Sequence, residues 1–193
     1  MKTIERSDIL TREDYERVRP EMRRRIMVSK NRRRVAVGDH CTVHFECRDT
    51  MLYQVLEMLR AESRWDRPGA AEGEIEAYGP IVPSAGELSA TMMFEYETPE
   101  ERAAVLPGLV GIDRHVFLEI GGGAPMLARF DRGQIDERKV SSVQYAKWTL
   151  EDEHRRLLKR EGTVLRLVID HPAYTAQAVL SEETRKAIMN DPD

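Results

Sequence analysis

Apolar and polar residues alternate most cleanly over Glu87 to Glu97, ELSATMMFEYE. Leu88, Ala90, Met92, Phe94 and Tyr96 fall on one face and Glu87, Ser89, Thr91, Met93, Glu95 and Glu97 on the other, the period-two signature of a strand with one face in a core. Val35 to Cys47 reads as one or two strands broken at Gly38-Asp39, a tight turn. In its second part Cys41, Val43, Phe45 and Cys47 face one way, and His40, Thr42, His44 and Glu46 the other, because side chains alternate along a strand.

The period then becomes helical. Asp49 or Thr50 is the expected cap of a helix from Met51 to about Arg64. Met51, Leu52, Val55, Leu56, Met58 and Leu59 gather on one side, and Thr50, Tyr53, Gln54, Glu57 and Arg60 within an arc of roughly 120° on the other. Upstream, Thr11-Arg-Glu-Asp14 has the form of a helix start, and Tyr15, Val18, Met22 and Ile26 recur at helical spacing to about Lys30. Pro20 predicts one bent helix or two consecutive ones. Arg64 to Gly86, rich in Gly, Pro and Glu, reads as a long loop with a short helical stretch around Glu72 to Ala77.

Beyond Glu97, Thr98-Pro-Glu-Glu101 is a capping box opening a helix to about Leu106. His115 to Ile120 reads as a strand, Gly121 to Gly123 as its turn, and Met126 to Phe130 as its partner. Lys139 to Thr149 is a further strand, and Thr149 is the expected cap of a helix to about Arg160. Thr163 to Ile169 and Tyr174 to Leu180 form a hairpin around Asp170-His171-Pro172, and Ser181 to Met189 is a closing helix. The pattern predicts an α+β fold, a mostly antiparallel sheet with helices packed on it and a basic N-terminal helix, in one domain over residues 1–193.

Composition fits a soluble chain: 41% hydrophobic and 33% charged residues, with no run near the roughly 20 apolar residues of a bilayer span. The start, MKTIERSDIL, lacks the apolar region of a secretory signal, so the expected location is cytoplasmic. The net charge of −4 hides an asymmetry. Arg12 to Arg34 holds ten basic residues against four acids, whereas Glu72 to Glu101 holds eight Glu and no basic residue. Such blocks can be complementary faces of one fold, an anion cradle or an acidic docking surface. The acidic total and the scarcity of aromatics near the basic block argue against nucleic acid.

The string HCxxHxxC from His40 to Cys47 invites a metal reading, but alternation sends its thiols and imidazoles to opposite faces, so no zinc site is expected. Cα atoms six residues apart on one strand lie roughly 20 Å apart, which rules out a disulfide between Cys41 and Cys47. His40 and His44, on the face of Glu46, can still contribute to a carboxylate/imidazole site for a metal or a proton, with other ligands from elsewhere in the fold. Glu46 and Arg48 lead into a helix N-terminus, a ready anion site. If the polar helix face is covered, Arg48, Gln54, Glu57 and Arg60 must form a paired network, and Arg48, Glu57 and Arg60 are expected to be buried and bonded to one another. Glu87, Ser89 and Thr91 could line a pocket. Asp170-His171 evokes an oriented base at a turn, without a nucleophile motif. The triple glycine lacks the Lys-Ser/Thr of a phosphate loop. The candidate ligand-binding residues are therefore Arg34, His40, Glu46, Arg48, Gln54, Glu57, Arg60, Glu87, Ser89, Thr91 and His171.

RPEMRRRI (Arg19 to Ile26), RRRVAVG (Arg32 to Gly38), FECRDTMLYQVLEMLRAE (Phe45 to Glu62), GELSATMMFE (Gly86 to Glu95) and IDHPAY (Ile169 to Tyr174) resemble the bacterial family catalogued as domain of unknown function 3501. Family members usually have FENRDT where this chain has Cys47, and a non-cysteine near Cys41, which weakens any thiol chemistry. The resemblance implies a redox or oxidative-stress context, because such proteins are often encoded beside rubrerythrin-like and iron–sulfur oxidoreductase-like proteins. It implies no reaction, cofactor or catalytic residue. Two functional expectations follow. One is an accessory or interaction protein of an iron or iron–sulfur redox system, docking such partners through the acidic stretch and the polar surface. The other is an enzyme or binder of a small anionic ligand, held by Arg34, Arg48 and Arg60, with Glu46 or Glu57 for proton transfer and the Arg64 to Gly86 loop as a lid.

Overall fold

The computed structural model describes residues 3–131 and 140–193. Its sheets come from the alternating stretches: β1 (Arg34–Ala36), β2 (Cys41–Glu46), β3 (Glu87–Phe94), β4 (Val116–Ile120), β5 (Met126–Leu127), β6 (Arg129–Phe130), β7 (Val143–Thr149), β8 (Leu165–His171) and β9 (Tyr174–Val179). The helices are α1 (Arg12–Arg32), α2 (Arg48–Ala61), α3 (Ala70–Tyr78), α4 (Pro99–Val105), α5 (Asp152–Lys159) and α6 (Glu182–Ile188). The fold is α+β, and every described strand pair is antiparallel.

The strands form two sheets, one ordered β1-β2-β3-β7-β6 and the other β5-β4-β8-β9. Their facing sides make the main core. Val43, Phe45, Leu88, Met92 and Trp148 of the first sheet share one apolar cluster with Leu118, Ile120, Leu167 and Ile169 of the second. A second cluster, with Tyr15 from α1, Met51, Val55, Leu56 and Leu59 from α2, Ala70 and Ala71 from α3, and Ile81 and Val82 behind it, packs against Tyr145 of β7. The helices therefore cover the outer face of the first sheet. Because of that cover β2 is buried on both sides, its polar residues Thr42 and Glu46 included.

Several local expectations are corrected. Cys47, not Asp49 or Thr50, stands at the N-cap of α2, and the Thr50 hydroxyl reaches back to the Cys47 N–H at 3.0 Å. The strand ends one residue earlier, at Glu46, so the two thiols do not share it. Pro20 sits inside α1, which runs on as one helix. It is exposed, so the carbonyl that loses its partner four residues back can meet water. The stretch from Arg64 to Gly86 contains the helix expected around Glu72 to Ala77, lengthened to α3, and adds a 3-10 turn at Gly79–Ile81. Met126 to Phe130 is not one strand. The chain changes sheets at Ala128, so that β5 pairs with β4 and β6 with β7. Glu151, rather than Thr149, caps α5. The expected strand from Lys139 begins outside the described residues, and β7 starts at Val143.

Glycine is required between β1 and β2. Gly38 has φ +74, and a Cβ there would come within 2.7 Å of the Tyr174 hydroxyl and 2.9 Å of Ala176 Cβ. The close approach lets the Tyr174 hydroxyl donate to the Val37 carbonyl at 2.7 Å, tying the turn to the second sheet. No helix among the described residues is long and apolar enough to cross a membrane.

Candidate functional site

Register places the outward side chains of β2, β3 and β7 in rows. Thr42, Met93 and Val143 form one row, His44, Thr91 and Tyr145 the next, and Glu46, Ser89 and Lys147 the third. Direct cross-strand neighbours have Cβ atoms roughly 4.5–5.5 Å apart, so each row is a contiguous strip. Between these rows and the helical layer lies a cavity of about 250 Å³. Its polar lining is Lys30 from the end of α1, His44, Glu46, Thr91, Gln54 of α2, Tyr78 and Tyr145; Met51, Ile81, Met93 and Val143 supply the apolar part.

Glu46 is the centre of the site. It is 3% exposed, and its carboxylate accepts one hydroxyl bond from Thr50 at 2.6 Å and one from Thr91 at 2.8 Å. It makes no ion pair among the described residues. Arg33, close enough to feel its charge, is committed elsewhere: its guanidinium holds Asp191 through bonds of 2.5 and 3.0 Å. A buried carboxylate without a cation is costly, and the two hydroxyl bonds offset part of that cost. Burial holds the His44 imidazole below its ordinary range, and Glu46 opposes that shift while Arg34 and Lys30 reinforce it. His44 is thus the neutral ring between a carboxylate and an ammonium. Burial pushes the Tyr145 phenol upward, aided by Tyr78 and Glu46, so it stays protonated and can donate.

Of the sequence candidates, Glu46, Gln54 and Thr91 line this cavity. Ser89, beside Glu46 on the same face, is 1% exposed and its hydroxyl has no hydrogen-bond partner among the described residues. Glu87 lies at the far end of β3 and is held by Arg129 at 2.5 Å and Lys147 at 3.2 Å. Lys30, Tyr78 and Tyr145 are lining residues that sequence reasoning missed, whereas alternation along β2 places His44 on the face of Glu46. Alternation along β7 could have found Tyr145, which faces Thr91 from the other side. Nothing local marks Lys30, whose position depends on how α1 crosses the sheet.

The network expected among Arg48, Glu57 and Arg60 is corrected. All three are paired, but none with another. Arg48 bridges Asp8 at 2.5 Å and reaches the Thr3 carbonyl at 3.3 Å, while Arg60 bridges Glu16 at 2.7 Å and is exposed. Glu57 receives two bonds from Arg19 at 2.7 and 2.9 Å and one from the Tyr15 hydroxyl at 2.5 Å. The Arg19 bonds lead in holding the Glu57 carboxyl down at about 2, against the opposing effect of burial, with Tyr15 assisting. The polar face of α2 thus docks α1 and the segment before it, because those elements offer an opposite charge at each position.

Three further candidates lie away from the cavity. Arg34 is half-exposed at 3.6 Å from Glu95, so it does not meet Arg48 and Arg60 in one anion site. His40 lies outside β2, stacked on Tyr96 at 4.6 Å. His171 is fixed by the backbone: its Nδ1 accepts from the Ala173 N–H at 3.2 Å, so Nε2 carries the proton donated to the Val110 carbonyl at 3.1 Å. Its neighbour Asp170 instead bonds His115 Nδ1 at 2.9 Å.

Cys41 and Cys47 are free and buried, and burial pushes the Cys41 thiol up to about 12. No group of three or more His, Cys, Asp or Glu among the described residues could hold a metal ion. The acidic stretch is spread over several faces: Glu72 meets Arg6, Glu74 meets Arg64, Glu95 meets Arg34, and Glu101 closes the capping box of α4.

Fold and site together define a two-sheet α+β protein with a helix-covered polar cavity on the outer face of one sheet. The chain belongs to the family described as protein of unknown function (DUF3501), which it matches over residues 3–192. It is similar to a novel protein of unknown function from Burkholderia pseudomallei K96243, known from a crystal structure at 1.90 Å resolution. The two share 35% sequence identity, with all of both chains covered and a TM-score of 0.91. No curated protein matches the chain.

Proposed function

We propose that this protein binds a small molecule in the cavity between β2, β3, β7 and α2, with Glu46 as the acceptor that faces the ligand. The observation that carries the reading is the Glu46 carboxylate, almost fully buried on the wall of a cavity and held by two threonine hydroxyls without an ion pair. Mixed walls of methionine, tyrosine and a few convergent polar groups are the usual construction of a small-molecule site. The volume, about 250 Å³, falls below the roughly 300–1,000 Å³ typical of pockets for drug-sized ligands, so the ligand is a small metabolite. Glu46 and neutral His44 equip the site to exchange a proton with a bound group. The arginines expected to hold the ligand are paired elsewhere, and Lys30 supplies the cation instead.

Docking to an iron–sulfur oxidoreductase-like or rubrerythrin-like protein is supported by family resemblance alone. The ligand reading is tested by amide chemical-shift mapping against a library of small polar fragments. Fragments are expected to shift Gln54, Thr91 and Tyr145 together, and Met93→Trp, which fills the cavity, should abolish those shifts. Shifts confined to other surfaces, or unchanged in Met93→Trp, would refute it.

A further inference from the structure

Lys30 and Glu46 carry opposite charges to the same cavity, and neither makes an ion pair among the described residues. That contrasts with the surrounding charges, where Arg19 holds Glu57, Arg33 holds Asp191 and Lys147 holds Glu87. The two charged groups also differ in hydrogen-bonding character. Glu46 is acceptor-only when ionised, and Thr50 and Thr91 each occupy one of its oxygens, leaving lone pairs for a further donor. Lys30 offers three donors, and the Gln54 amide and the His44 ring, whose side chains have no hydrogen-bond partner among the described residues, can add to them. The remaining wall includes Met51 and Met93, flexible side chains that adapt to an irregular apolar group.

From this pair of unmatched charges we infer that the ligand is a zwitterionic amino carboxylate with an apolar side chain, its ammonium on Glu46 and its carboxylate on Lys30. The inference rests on the cavity being a ligand site, as argued above. An anion alone would leave Glu46 without a cation and bring a second negative charge near it. An amine alone would leave Lys30 unmatched. A neutral molecule would satisfy neither charge. The cavity has room for the volume of about eight water molecules at roughly 30 Å³ each, which admits a free amino acid and excludes a peptide of several residues.

The experiment is a titration of the full chain, followed by amide chemical shifts, with four probes: L-leucine, L-methionine, 3-methylbutylamine and 4-methylpentanoate. The amine is leucine without its carboxylate, and the acid is leucine without its amino group. Leucine or methionine is expected to bind at least tenfold more tightly than either half-molecule. Glu46→Gln should weaken the amino acid and the amine but spare the acid, and Lys30→Met should weaken the amino acid and the acid but spare the amine. Either half-molecule binding as tightly as the amino acids overturns the zwitterion while leaving the cavity as a ligand site. So does the absence of binding by all four probes where the fragment library still shifts Gln54 and Thr91. If neither probes nor fragments act at the cavity, both readings fall.

Discussion

Replacing Glu57 by glutamine tests whether the charged face of α2 clamps α1 rather than serving chemistry. The carboxylate receives a two-pronged Arg19 contact and the Tyr15 hydroxyl, and its side chain is 25% exposed. Arg19 is the leading cause of a carboxyl value near 2, where an isolated glutamate stands near 4.5. At about 1.4 kcal/mol per pKa unit that difference sets a ceiling of about 3 kcal/mol, and partial exposure brings the expected loss in Glu57→Gln at pH 7 to about 1–3 kcal/mol. The sign follows from linkage. The folded value lies below the unfolded one, so the stabilisation is complete above about pH 4.5 and disappears as pH falls toward 2.

Urea denaturation is the assay. With a slope of about 2 kcal/mol per molar, the midpoint should fall by about 0.5–1.5 M at pH 7. The gap between wild type and variant should close as the pH is lowered from 4.5 to 2.5. A cycle with Arg19→Met separates the pair from the tyrosine bond. A gap that persists unchanged at pH 2.5, or a loss at pH 7 below about 0.5 kcal/mol, the usual range for neutral surface changes, would refute the clamp.

Two further outcomes are expected. Arg33 and Asp191, 8% and 5% exposed, fasten the end of α1 to the C-terminal segment. Arg33→Met should cost about 3–5 kcal/mol because it leaves a buried carboxylate unpaired, and Asp191→Asn added to it should restore part of that stability in the same denaturation assay. Cys41, whose thiol is pushed up to about 12 by burial, should resist alkylation at pH 8 in the native protein and react on unfolding, as read by mass spectrometry. Rapid native modification would contradict its placement in the core.

Alternation alone was enough to place Cys41, Val43 and Phe45 on one face of β2 and Thr42, His44 and Glu46 on the other, because strand geometry sends neighbours to opposite sides whatever surrounds them. The same period marked β3, and turn chemistry marked the β8–β9 hairpin. The antiparallel α+β class was therefore legible, as were Glu46, Gln54 and Thr91 as separate candidates; the cavity that joins them was not. Changes of direction that depend on packing were not. The passage from β5 to β6 between sheets at Ala128 arises from surfaces supplied by distant segments.

The sequence by itself determined which residues share a strand or helix face, since those periods are local properties of the backbone. Tertiary structure decided which of the polar faces would be buried and what each would meet. Arg48, Glu57 and Arg60 stand on α2 at spacings that allow a network, yet α1 and the segment before it lie alongside with a better partner for each. Lys30 is 16 residues from Glu46 in sequence and shares a cavity with it because helices cover the outer face of the sheet. No spacing rule encodes that placement; it follows from how the helical layer rests on β2, β3 and β7.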